Sequence, residues 1–155
     1  MNKTEIIQTG IKSLQVTVTA LIVGVVGFVV AGAVVTSSAG SEFAELEQEI
    51  IWMIAGGIAV FAIFCAFIGQ FLFKKKLSAM TLSSDYQAMF AQYRAALIIR
   101  VALSEAPGFL SCVAFIILAD YTLLAGAAIS VITMAMAYPK KETVCRQMGI
   151  NDWEV

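Results

Sequence analysis

The sequence predicts an all-α membrane protein: an antiparallel bundle of four transmembrane helices with both termini on the cytoplasmic side. Three observations carry this reading. The composition is 60% hydrophobic and 14% charged, whereas soluble globular domains lie nearer ~45–50% apolar and ~25% charged. Four apolar runs each approach or exceed the ~20 residues that a helix rising ~1.5 Å per residue needs to cross a ~30 Å hydrocarbon core. The charges also segregate. Lys3, Lys12, Lys74, Lys75, Lys76, Arg94, Lys140, Lys141 and Arg146 fall on one side of the expected bilayer. Glu42, Glu45, Glu47, Glu49 and Asp120 fall on the other, with no basic residue among them. By the positive-inside rule the basic side faces the cytoplasm. With the spans taking most of the 155 residues, the chain reads as a single membrane domain over 1–155.

The first run covers 16–35 after a short polar lead. Ala31-Gly32-Ala33 matches a small-residue cleavage site, but the run exceeds the ~7–15 apolar residues of a signal peptide and Glu5 weakens the basic start. The expectation is a retained helix. A polar, acidic loop leads to the second run, 50–73, which has Trp52 near one end and stops at Lys74-Lys75-Lys76. Next comes the longest polar connection. Within it Ser84-x-x-Gln87 reads as a capping box, and Tyr86, Met89, Phe90, Tyr93 and Leu97 recur at helical spacing. Helix three therefore begins near Asp85, with an extension over 85–94 lying on the membrane surface or on a partner, before its span over 95–119. Asp120 alone separates it from the fourth run, 121–138, which predicts a tight hairpin. Pro139-Lys140-Lys141 ends the fourth helix, and the remainder reads as a short polar tail.

Helices in lipid associate through small residues and polar contacts, since lipid tails are as apolar as leucine. Ala20, Gly24, Gly27 and Ala31 form one such stripe, as do Ala55, Ala59, Ala62, Ala66 and Gly69, and Gly126, Ser130, Thr133 and Ala137. Their alternating steps of three and four suit a left-handed bundle. The glycines of the first helix serve equally well as a contact between copies of the chain.

The candidate site lies in Arg100-Val-Ala-Leu-Ser-Glu-Ala-Pro-Gly108, where charge enters an apolar run. Ionised groups at membrane depth cost several kcal/mol. Counting from Asp120 at ~1.5 Å per residue, Glu105 lies ~22 Å deep and Arg100 ~30 Å deep. Arg100 is thus able to snorkel to the inner headgroups, but Glu105 is not. Five positions separate the two by ~140° around a helix, so a partner for Glu105 is expected from another helix, with Gln70, Thr17 and Thr19 at comparable depth. Pro107 frees the carbonyl of Leu103. The polar candidates are Glu105, Ser104, Arg100, Pro107 and Gln70. Histidine is absent, which argues against haem, most zinc sites and Ser-His catalysis. Cys65, Cys112 and Cys145 form no Cys-x-x-Cys pair and read as buried small hydrophobes. No metal site or cofactor is expected, and no catalytic constellation assembles.

Ala102-Leu103-Ser104-Glu105-Ala106, followed by Gly108-Phe109 and an apolar run, resembles the carboxylate-bearing helix of proteolipid subunit c in rotary ATP synthases. That resemblance implies a proton or sodium site at Glu105. It covers about twenty residues, and this chain lacks the family's polar Arg-Gln-Pro loop and dense glycine repeat, while adding Arg100, Pro107 and a further span. Over most of its length the chain is similar to a group of uncharacterised four-span small bacterial membrane proteins. The matching features are Lys74 to Lys76, the Tyr93 to Glu105 entry to helix three, and the Pro139 to Glu142 close. This implies a bacterial inner membrane and no particular activity.

Two functions follow. The first is a non-enzymatic structural or interaction subunit, with Arg100, Ser104 and Glu105 as a buried polar site. The second is a small proton- or sodium-coupled transporter or ion-handling subunit using Glu105. The expected partners are the lipid bilayer and either a second copy or another membrane protein, not nucleic acid.

Overall fold

A computed structural model describes residues 3–39, 47–80 and 86–149. It is helical, with no strand among the described residues: α1 (Lys3–Ala39), α2 (Gln48–Ser78), α3 (Tyr86–Leu118), a 3-10 turn (Tyr121–Leu124), α4 (Ala125–Met136) and α5 (Lys141–Met148). Three helices, α1 to α3, are long and apolar enough to cross a membrane. The expected fourth run, 121–138, is helical over Tyr121–Met136, with a 3-10 first turn, and bends by 64° into α5 across the break before Lys141. The cause of the 3-10 turn is local. Asp120 accepts hydrogen bonds from the backbone N–H and hydroxyl of Thr122, at 2.8 and 2.6 Å, and so winds the first turn tightly. Together the turn and α4 rise ~26 Å, most of the ~30 Å hydrocarbon thickness.

α3 is the central helix. It packs along α1, α2 and α4, while α1 and α2 make no comparable contact with each other. α4 in turn packs on both α2 and α1, so the four helices form one packed arrangement with α3 touching each of the other three. One end gathers Ile7, Phe73, Met89, Tyr93, Met134 and Val144 into a single apolar cluster. The other gathers Ile51, Ile58, Phe115 and Leu123. Consecutive long helices thus run in opposite directions, and exposed Lys12, Lys74, Lys75, Lys76, Arg94, Lys140 and Lys141 share one end. Around the outside the surface is apolar: Val16, Val23 and Val30 on α1, and Phe64, Phe67 and Phe71 on α2, are exposed. An apolar belt of this extent is what lipid would cover.

Several boundaries differ from the sequence reading. The lysine triplet ends the apolar run but not the helix, since α2 continues to Ser78. Lysine is a good helix former and suits the negative end of the helix dipole. The Ser84 side of the expected capping box lies outside the described residues. The extension before the third span does not lie free on a membrane surface. Met89, Phe90 and Tyr93 are buried against Ile7, Ile11 and Phe73, and against α5. The tail is not a simple polar extension either. α5 buries Val144, Cys145 and Met148 and ends at Gly149 in the left-handed region, φ 66°. Two bonds anchor this end: Tyr93 Oη donates to Gln147 Oε1 at 2.8 Å, and Gln15 Nε2 donates to the Pro139 carbonyl at 3.1 Å. Cys65, Cys112 and Cys145 are buried and form no disulfide among the described residues.

At the opposite end Ala119 N–H donates the last helical bond of α3 to the Phe115 carbonyl at 2.8 Å, and its φ of 53° turns the chain out of the helix. Gln48 donates to Asp120 Oδ2 at 3.2 Å, tying α2 to the hairpin. The Thr122 hydroxyl, its N–H and Gln48 together hold the Asp120 carboxyl below its ordinary range. A carboxyl with a lowered folded pKa stabilises above its unfolded pKa, about 4, and loses that contribution as pH falls through the folded value. Asp120→Ala should therefore lower melting temperature in detergent at pH 7, with the gap to wild type narrowing below about pH 4. A gap unchanged down to pH 2 would show that ionised Asp120 contributes nothing.

Candidate functional site

The structure divides the polar candidates between two faces of α3. Arg100 turns toward α2, where its guanidinium carbon lies 5.4 Å from the centroid of the Phe73 ring. Phe73 meets Tyr93 edge-on at 5.7 Å. Such a cation–π contact contributes ~0.5–2 kcal/mol depending on desolvation, so Arg100 is a packed residue. α2 comes close here because of Gly69: a Cβ at that position would stand 3.1 Å from the Arg100 carbonyl oxygen. Ser104 is buried and donates back along its own helix to that same carbonyl at 3.2 Å. Pro107 is buried within α3, which passes through it without a break. Gln70, next to Gly69, buries Oε1 without a hydrogen-bond partner among the described residues.

Glu105 stands apart from these. It is partly exposed, and no hydrogen bond or ion pair joins it to any described residue. Its face of α3 runs along α1. Ile98 and Val101 face Thr17 and Leu21, and Phe109 meets Phe28 at 5.3 Å between ring centroids. Helical spacing places Glu105 between these levels, beside residues 21–28 of α1. None of the expected polar neighbours serves it. Thr17 spends its hydroxyl on the Ser13 carbonyl at 2.8 Å, Thr19 is exposed, and Gln70 belongs to α2 on the other side. Comparison with protein-family models, with curated proteins and with solved structures finds no match. The functional reading therefore rests on the residues of this chain.

The small-residue stripes divide in the same way. On α2, Ala55, Ala62 and Gly69 are buried, as are Gly126, Ser130 and Ala137 on and after α4. On α1 the stripe faces outward: Ala20, Gly24, Gly27 and Ala31 are exposed, and nothing lies within 4 Å of a Cβ built at Gly24 or Gly27. The first helix packs on α3 through larger residues instead, Leu14, Val18 and Val25.

Sequence reasoning missed Ser111. Its buried hydroxyl accepts from the Ala127 N–H at 3.0 Å and donates to the Leu123 carbonyl. Those are the two groups that an uninterrupted α-helix would join directly, so Ser111 stands at the 3-10 to α transition. The available signal was a serine seven positions after Ser104, on the same face of an apolar helix.

Proposed function

We propose that the chain is a non-enzymatic four-span subunit of a bacterial inner membrane, with both termini cytoplasmic, that associates with a second copy through Glu105. One observation carries this reading: Glu105, near the middle of the central helix, has no hydrogen-bond or ion-pair partner among the described residues. Leaving a polar group unsatisfied in hydrocarbon costs several kcal/mol. A neighbouring helix removes that cost by accepting or donating a hydrogen bond. On α1 there is open space at Gly24 and Gly27, which admits the close approach of a second backbone. The basic end supports the orientation. Arg100 and Ser104, engaged with α2 and with α3 itself, hold the central helix in place rather than bind a substrate.

The test compares wild type, Glu105→Gln and Glu105→Ala for melting temperature in detergent and for self-association by energy transfer in liposomes. Because Glu105 has no partner among the described residues, all three should melt alike as monomers. Glu105→Gln should keep association, and Glu105→Ala should weaken it by ~1–2 kcal/mol, about five- to thirtyfold. Equal association in all three would remove Glu105 from the contact. Proton or sodium flux lost in both variants would replace this reading with ion transport.

A further inference from the structure

At the basic end the seam between α1 and α3 opens into a groove of about 410 Å³. Its floor is apolar, with Leu14 and Phe90 buried beneath it and Ile98 at its deep end. Its rim is polar: Arg94 and Gln87 on α3 and Ser13 on α1. Arg94 is exposed and makes no ion pair with any described residue. The groove thus offers one guanidinium and a neighbouring serine hydroxyl above an oily floor. That combination fits a phosphate attached to a hydrocarbon chain better than it fits a soluble anion or a bare chain.

Depth agrees. At ~1.5 Å per residue α3 rises ~36 Å from Arg94 to Leu118, beyond the ~30 Å hydrocarbon core but within the ~40–45 Å that includes both headgroup layers. Arg94 is therefore level with the lipid phosphates if α3 crosses the bilayer as proposed. Guanidinium pairs with phosphate through two parallel N–H···O bonds, which makes Arg rather than Lys the suited cation. Below the groove the seam narrows to a crevice between Thr17, Leu21, Ile98 and Val101. An acyl chain would descend along the outside of this crevice over exposed Ile98. Glu105 lies ~16 Å deeper than Arg94, about one leaflet's hydrocarbon depth. The lipid would then fill the inner-leaflet half of the seam and leave Gly24, Gly27 and Ala31 to a second helix.

We infer that the α1–α3 groove at the basic end is a binding site for one anionic phospholipid of the inner leaflet, its phosphate held by Arg94 and its chain laid over Leu14, Phe90 and Ile98. This rests on the membrane reading above, and the test separates the two. The full-length protein in liposomes is first shown to be inserted by resistance to carbonate extraction. Native mass spectrometry then compares retention of phosphatidylglycerol and phosphatidylcholine with matched chains. One phosphatidylglycerol should be retained preferentially. Arg94→Gln should reduce that preference about five- to tenfold. Lys75→Gln, at the same end but away from the groove, should leave it unchanged. Ala91→Trp, which fills the groove from an exposed position without altering charge, should abolish it. Equal losses in Arg94→Gln and Lys75→Gln would mean diffuse attraction and overturn the site. So would full preference in Ala91→Trp, equal retention of both lipids, or a preference erased by millimolar inorganic phosphate alone. An inserted protein with no preference would refute the lipid site while leaving the membrane reading intact.

Discussion

Gly126→Val should destabilise the protein by about 3–5 kcal/mol, whereas Gly24→Val should leave its melting temperature unchanged. A Cβ at Gly126 would overlap the Cγ2 of Ile58 and stand 3.0 Å from Ser111 Oγ. α4 would have to withdraw from α2 and α3. Overpacking a close contact costs ~1–3 kcal/mol. Displacing Ser111 also unpairs the Ala127 N–H and the Leu123 carbonyl, at ~1–3 kcal/mol. The two costs fall on one junction, so they reinforce each other. Gly24 has open space where its Cβ would be, and the same substitution meets no described residue there. Melting temperature in detergent at low protein concentration reads the difference. Similar melting of the two variants would mean that α2, α3 and α4 do not meet at Gly126 as described.

Val144→Asp should release α5 while the long helices remain assembled. Val144, Cys145 and Met148 are each no more than 1% exposed, and they are what holds an eight-residue helix that is too short to persist alone. Burying a carboxylate among Ile7, Met89 and Tyr93 costs more than the burial of Val144 contributes, ~1.5–3 kcal/mol. The helix will therefore undock. Trypsin should cleave after Lys141 and Arg146 far faster in Val144→Asp than in wild type, with residues 86–136 still protected. Unchanged cleavage would show that α5 is not docked on this cluster in solution.

The long apolar helices were legible in the sequence because a membrane-crossing helix obeys a simple rule: about twenty apolar residues, bounded by charges. Within such a helix that rule becomes blind, since hydrophobicity no longer distinguishes inside from outside. Ala20, Gly24, Gly27 and Ala31 have the same three-and-four spacing as Gly126, Ser130, Thr133 and Ala137. Yet the first set faces outward and the second is largely buried. Only the neighbours decide, and they come from distant parts of the chain. The centrality of α3 was hidden for the same reason. α5 was missed for a different one. Its polar residues outweigh Val144, Cys145 and Met148 in composition, although Gly149 as a helix stop was a readable signal.

The divergence of Arg100 and Glu105 did follow from helical geometry, because five residues always separate by ~140°. What the sequence could not show was which one finds a partner within the chain. Phe73, 27 positions before Arg100, supplies one for the guanidinium. Glu105 has none among the described residues, and the association proposed here rests on that asymmetry.

Cross-linking through Gly24 tests that association most directly. In a background with Cys65, Cys112 and Cys145 replaced, Gly24→Cys places a thiol on the open stripe beside Glu105, and Ile132→Cys places one on α4 at an exposed position. Both are oxidised in membranes at low protein-to-lipid ratio. Gly24→Cys should give a disulfide-linked dimer, reduced in yield when Glu105→Ala is added, and Ile132→Cys should remain monomeric. No dimer through Gly24→Cys, or equal yields at the two positions, would contradict an interface on this face of α1.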